Sequence, residues 1–423
     1  MMLNDKTVAA YTAILREELL LATGCTEPIA VAYCAAKLRE VLGGKPEEVL
    51  AEVSGNILKN VKSVVVPNTD GRRGIDAAIA VGIVAGDADA ELQVIANVTE
   101  NDAAAIQGYL DATSIKVTCP ETPCLLDIFL HGKREGHTAA VRVANNHTNI
   151  IYIEKDGEVL LEKPVTANAE DNLQDKSVLN VKDILTFVET VPLSAIEPII
   201  GRQIACNTAI AEEGLKNSWG ANIGSTLLQR SDDMETQARA WAAAGSDARM
   251  NGCEMPVVIC SGSGNQGITA SVPVWRYGRL MGADDERILR AVCLSDLITI
   301  HQKTGIGRLS AYCGAVSAGV SAGCGIAWLR GADYDAICHT LENAVAMISG
   351  CICDGAKASC ASKIAMGVEC GMLGYNMYLG GNNFQPGHGI MGKDVEDTIR
   401  HVGVLAAQGM RETDRVILKI MTE

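Results

Sequence analysis

Near residue 180 the apolar residues of this 423-residue chain change their spacing. Before that point they fall in short β-branched runs broken by Gly, Asn and Asp, the mark of strands. VKSVVVP (61–67), ELQVIANV (91–98), SIKVTC (114–119), LLDIFLHG (125–132) and HTAAVRVAN (137–145) are such runs. NIIYIEKDGEVLLE (149–162) places Asp-Gly between two of them and predicts a hairpin. Helices are predicted at 75–86 and 102–112. After residue 180 the period becomes helical through to the C-terminus, as in VKDILTFVETV, DMETQARAWAAAGSDARM and AVSAGVSAGCGIAWL. With 42 Gly but only three Phe, nine Tyr and four Trp, these helices are expected to pack closely through small side chains. The fold class is therefore α+β: a smaller mixed α/β domain over 46–165, a polar linker within 164–178, and a helix-rich domain over 180–423. A helical pair over 1–45, packed on the helix-rich domain, precedes them.

Within that pair, residues 7–42 read as helix, with Leu15, Leu19 and Leu20 on one face and a break at TGCTEP. Cys25 then stands near the N-terminus of the second helix, where the dipole favours a thiolate. A buried thiol at a helix junction is the plainer reading of the same residue. The chain has 15 cysteines, and its opening reads as an amphipathic helix rather than a signal peptide. A cytoplasmic protein with reduced thiols is the expectation, and there metal binding or catalysis is commoner than disulfides. The formal net charge of −15 argues against nucleic acid or an anionic membrane as partner. No apolar run reaches the roughly 18 residues of a membrane span. A small-molecule substrate and a possible homo-oligomer remain.

Two motifs carry chemistry. In SGSGNQGITASVP (261–273) closely spaced glycines let backbone amides converge on an anion, and Ser261, Ser263, Asn265 and Gln266 add side-chain groups beside Gly262 and Gly264. A carboxylate or phosphate would fit, and so would a purely structural turn. The loop is similar to the Ser-Gly-Asn loops of fold-type II pyridoxal phosphate enzymes, but the nearest upstream lysine, Lys216, lies in a helical segment rather than on a strand. The second motif is a set of cysteines: Cys313 in AYCGAVSAG, and Cys351, Cys353 and Cys360 in GCICDGAKASC. On an unbroken helix Cys353 and Cys360 would stand about 10.5 Å apart along the axis. Asp354 and Gly355 favour a loop that folds them together. Soft thiolates suit zinc or iron-sulfur, and the spacing matches neither zinc-finger nor ferredoxin patterns.

GCTEP (24–28), GNILKNVKSVVVPNTDGRRGIDAA (55–78), CSGSGNQGITASVP (260–273) and CICDGAKASCASK (351–363) together resemble the L-cysteine desulfidase family, of the iron-sulfur-dependent L-serine dehydratase α-chain group. The resemblance runs over nearly the whole chain. It implies that Cys313, Cys353 and Cys360 hold a 4Fe-4S cluster in the helix-rich domain, which becomes the catalytic one. It also implies that Cys25 accepts the substrate's proton; capping the fourth iron at rest is the other role open to it. The tight Cys353–Cys360 spacing resembles the desulfidase branch, and serine dehydratases place Ser-His-Thr where this chain has Cys25. The implied reaction is cluster-assisted β-elimination of L-cysteine to hydrogen sulfide, pyruvate and ammonia. L-serine dehydration and a non-catalytic metal or redox sensor are the alternatives. The 261–267 loop is then the expected carboxylate site, with Asn68 and Thr69 after a predicted strand as further candidates. Arg72 and Arg73 are possible carboxylate partners, and His301 and His388 possible bases.

Overall fold

The structure is a computed structural model that describes residues 3–165, 174–307 and 309–422. The middle of the expected linker, 166–173, lies outside the described residues. The chain opens with α1 (Asp5–Glu18), β1 (Leu21–Thr23) and α2 (Thr26–Leu42). There follow β2 (Glu48–Val53), α3 (Gly55–Val61), α4 (Gly74–Ala85), α5 (Ala103–Ala112), β3 (Ser114–Thr118), β4 (Asp127–Arg134), β5 (His137–Ala144), β6 (Ile150–Lys155) and β7 (Glu158–Glu162). The remainder comprises α6 (Val181–Thr190), α7 (Leu193–Lys216), α8 (Ile223–Leu228), α9 (Met234–Met250), β8 (Pro256–Val258), α10 (Gly264–Leu280), α11 (Asp285–Ile306) and α12 (Gly314–Leu329). It closes with α13 (Tyr334–Ile348), α14 (Cys360–Leu379), α15 (Val395–Val404) and α16 (Arg411–Thr422). The α+β class is as expected.

Six strands form one sheet in the order β3-β2-β4-β5-β6-β7, parallel between β2 and β3 and antiparallel elsewhere. The predicted hairpin is β6–β7, turning on Asp156 and Gly157 at φ 49° and 84°. Two predicted strands are not strands. At 61–67 the chain leaves α3, whose N-cap Ser54 accepts from the Ile57 amide and ties the helix to the sheet by donating to the Leu125 carbonyl at 2.7 Å. The valines after it are buried, with Val65 making only a single antiparallel bridge, to Arg73. At 91–98 a kink at Glu91 (φ 48°) and a short 3-10 segment bury Leu92, Val94 and Ile95 without strand pairing. β-branched residues there serve burial, which is indifferent to backbone conformation. β1 and β2 lack a sequence signal of their own. β1 exists only because it pairs with β8, Leu21 opposite Val258.

Among the described residues two large apolar cores stand out. One gathers Tyr11, Ile14 and Leu15 of α1 with α6, α11, α12 and α13. The other packs α2 and α4 on the sheet and also takes Ile210, Ala211, Ala248 and Ile268 from the helical half. The helical pair expected at 1–45 thus divides, α1 joining the helical core and α2 the sheet core. The break at TGCTEP is therefore a crossing point between the halves.

Small residues do their expected work where α12 crosses α14. A Cβ added to Gly319 would lie 2.4 Å from the Gly367 carbonyl carbon, and one added to Gly323 would lie 2.3 Å from that of Gly371. Those backbones touch. Among the described residues no single helix is long and apolar enough to cross a membrane.

Candidate active site

Seven helices, α1, α3, α6, α9, α11, α13 and α15, begin with an Asn, Ser or Asp side chain capping a backbone amide. Like α4, α5, α7 and α8, the helices that begin at Cys25, Ser263, Cys313 and Ser359 have no side-chain cap. These four N-termini, of α2, α10, α12 and α14, form a closed ring. Thr26 Oγ1 donates to the Gly262 carbonyl at 3.0 Å, linking α2 to the glycine loop. Gln266, in the first turn of α10, lies against Gly314, where an added Cβ would stand 2.8 Å from its amide carbon. Cys353 feels the charge of Cys313, and Cys360 feels the charge of both. Cys360 packs against the small apolar cluster of Cys25, Val64 and Met250, which closes the ring. Uncapped N-termini converging on one spot create positive potential suited to thiolates and carboxylates.

Cys25 itself departs from expectation. Burial and the neighbouring Glu27 push its thiol well above the ordinary cysteine range, against Arg249, which draws it down. The helix dipole, worth about 2 kcal/mol at best, does not outweigh full desolvation of a thiolate. Cys25 Sγ instead donates to Glu27 Oε2 at 3.2 Å. Glu27 also accepts from Asn60 Nδ2 at 3.0 Å, and its Oε2 shares the single Thr26 hydroxyl proton, at 3.0 Å, with the Gly262 carbonyl. Burial raises the Glu27 carboxyl, but His147, the Cys25 hydrogen bond and Arg249 together hold it below the ordinary range.

The loop 261–263 is a tight turn in which the Cys260 and Ser263 amides and carbonyls pair reciprocally at 3.1 Å. Ser261 takes φ 47° and Gly262 φ 81°, so a serine bears a left-handed conformation that glycine adopts freely. Beyond the turn, Asn265 and Gln266 are buried, and Gln266 Oε1 has no hydrogen-bond partner.

The cysteine set folds on a short antiparallel contact: the Cys313 amide donates to the Cys351 carbonyl at 3.1 Å and the Cys353 amide to the Ala311 carbonyl at 2.6 Å. Residues 354–359 are not helical, and Gly355 (φ 94°) passes so close to α3 that an added Cβ would stand 2.4 Å from the Lys59 carbonyl oxygen. Asp354 receives Lys357 at 2.7 Å and Lys363 at 2.5 Å. Burial raises the Cys353 thiol, and raises Cys360 to about 11. Cys313 hydrogen-bonds to Cys351, which raises the first and lowers the second. Among the described residues no three His, Cys, Asp or Glu side chains stand close enough to hold a single metal ion. All 15 cysteines are free thiols.

Other sequence candidates lie elsewhere or serve structure. The 66–69 turn abuts Gly24, where an added Cβ would meet Pro67. Thr69 Oγ1 donates to Val66 within that turn, and Asn68 Nδ2 donates to the Ile95 carbonyl at 2.7 Å. Arg72 binds Gln107, and Arg73 binds the Ser63 carbonyl. His301 pairs with Glu396 at 2.7 Å, and His388 sits in an exposed loop against the Gln385 amide. None of the six hydrogen-bonds to a residue of the ring.

Sequence reasoning missed Glu27, Asn60 and above all Arg249. Arg249 closes α9 within the ring, 2% exposed, with Nη1 donating to Asn265 Oδ1 at 3.2 Å. Its signal was present: an arginine at the end of an Ala-rich helix, shortly before the glycine loop.

Thiols, a buried acid and a glycine loop are thus gathered between the two large cores. The chain belongs to the serine dehydratase alpha chain family, whose match spans residues 89–419. It is 48% identical to the UPF0597 protein of Desulfitobacterium hafniense over 419 residues, 99% of this chain and 97% of that one. It is 46% identical to that of Treponema denticola over 428 residues, 100% of this chain and 99% of the relative. The family match takes in the glycine loop and the cysteine set, and the two relatives also span Cys25.

Proposed function

We propose that this protein is a cytoplasmic lyase that removes sulfide from L-cysteine by β-elimination, leaving pyruvate and ammonia. The observation that carries the reading is the ring itself: Cys25 with its Glu27 partner, the glycine loop, and Cys313, Cys353 and Cys360 meet at four uncapped helix N-termini. Free thiols throughout fit a reducing compartment.

The three cysteines suit a 4Fe-4S cluster as a donor set. They are soft ligands from two helix starts and the loop that leads into α14, within reach of one another's charge. Each would bind a different iron, so they need not crowd as ligands of one ion must. Lys363 and the Lys59 ammonium face the same loop, the latter reaching the Cys353 carbonyl at 3.5 Å, and both favour thiolates. When bound, the cluster supplies an iron without a protein ligand that acts as a Lewis acid toward the departing sulfur.

The chain's own residues do the rest. Loop 261–267 and the first turn of α10 orient the amino acid. Cys25 passes its proton to Glu27 Oε2, along the hydrogen bond already formed, and takes the proton from the substrate's Cα. Loss of that proton and of sulfide leaves 2-aminoacrylate, which tautomerises and hydrolyses in water to pyruvate and ammonia. Desolvation by α2 and α10 strengthens each charge interaction on the way.

Anaerobic reconstitution with iron and sulfide, followed by assay of sulfide and pyruvate, tests the proposal. Protein that holds iron yet releases neither sulfide from L-cysteine nor pyruvate from L-serine refutes it. L-serine dehydration is a second reading, favoured by the family the chain matches. Turnover of the two amino acids at equal concentration separates them.

A further inference from the structure

Resting on that reading, we propose that Arg249 anchors the α-carboxylate of the substrate through two parallel hydrogen bonds from Nε and Nη2, which makes a free α-carboxylate a condition of binding. Both nitrogens are buried and without a partner, while Nη1 alone is engaged, by Asn265. A buried guanidinium with two open donors is costly to keep unless something repays it. Among the described residues no carboxylate forms an ion pair with it.

Its surroundings point to a ligand in the ring. The charge of Arg249 is felt at both Cys25 and Glu27, and its chain neighbour Met250 packs on Cys25. Gly264 makes room for it, since an added Cβ would lie 2.4 Å from Arg249 Nε. The guanidinium therefore lies against the uncapped start of α10, so a carboxylate meets a planar fork on one side and helix amides on the other. Gln266 Oε1, buried and unpartnered, stands on the same turn toward Cys313 and suits the α-ammonium. An amino acid held this way presents its Cα toward Cys25 and its β-sulfur toward the cysteine set.

The test compares wild type with Arg249→Lys, which keeps the charge and loses the fork. Two inhibitors serve as probes: 3-mercaptopropionate has thiol and carboxylate without the amine, and cysteamine has thiol and amine without the carboxylate. We expect Arg249→Lys to raise KM for L-cysteine about tenfold or more, the worth of one charge-assisted hydrogen bond, with iron content unchanged and kcat far less affected. Inhibition by 3-mercaptopropionate weakens in parallel, and inhibition by cysteamine does not. An unchanged KM with unchanged inhibition overturns the assignment. If the variant does not fold, wild type decides: cysteamine inhibiting as tightly as 3-mercaptopropionate overturns it. If wild type turns over neither amino acid, the lyase reading fails separately. The anchor is then read from melting, with 3-mercaptopropionate stabilising wild type and not Arg249→Lys; equal stabilisation of both overturns it.

Discussion

Cys25 and Glu27 form a pair whose proton lies on sulfur. Burial holds the thiol high, while the hydrogen bond it donates helps hold the carboxyl low. Replacing Cys25 with Ser should cut sulfide release by about a hundredfold or more, the usual worth of a positioned base. Iron content should stay at the wild-type ratio; loss of iron together with activity would instead make Cys25 a ligand. Glu27→Gln keeps a hydrogen-bond acceptor for Cys25 but removes the proton's destination. Its turnover should fall by an order of magnitude or more at every pH. Because the Glu27 carboxyl is depressed, wild-type activity should persist down through the ordinary carboxylate range and fail only below it. A wild-type pH profile that falls near the ordinary glutamate value would remove Glu27 from the proton path. Cys25 was legible in the sequence as a candidate, but its protonation was not. A helix start is local, whereas desolvation comes from Val64, Met250 and Cys360, which are remote in the chain.

At the scale of elements, the crossing of α12 and α14 sets where the cysteines stand, because Cys313 precedes one helix and Cys360 begins the other. Gly323→Ala would press a methyl against Gly371 at 2.3 Å. The helices must then separate, at a cost of about 1–3 kcal/mol as for other overpacked cores. Melting temperature should drop and the iron retained after reconstitution should fall with it. Unchanged iron at a lowered melting temperature would mean that the crossing supports the fold alone. VSAGVSAG announced a close approach in the sequence. Its partner, the Gly367 and Gly371 face of α14, could not be chosen from spacing, since many Gly-rich stretches compete. Strands fared similarly: β3 to β7 were visible as alternating runs, while β1 is defined only by its partner β8.

Across the whole molecule, burial of charge couples stability to pH. Asp296 is fully buried on α11, accepts from Gln203 Nε2 at 2.9 Å, and is raised by desolvation to about 8. Its native pKa lies above the unfolded value near 3.9, so the folded state keeps a proton that the unfolded chain releases. The stability this contributes is fully present below pH 4 or so and is lost as pH climbs toward 8. Asp296→Asn should therefore gain on wild type as pH rises from 5 to 8, read from urea midpoints at both values. Parallel curves would show that Asp296 is ionised in the fold. The C-terminal helix α16 also bears on the site. Its Asp414 meets the buried Lys59 ammonium at 2.5 Å, which in turn reaches the Cys353 carbonyl.

From the sequence alone came the α+β class, the change of period near 180, most helices and the later strands, because hydrophobic spacing and turn residues act over a few positions. The motifs at 25, 261–267 and 351–360 could also be singled out there. Only tertiary structure could bring those motifs to one ring, divide α1 and α2 between two cores, and leave Arg249 buried with open donors. Those outcomes depend on which surfaces meet across hundreds of residues, and on the desolvation that meeting imposes, neither of which a local pattern encodes.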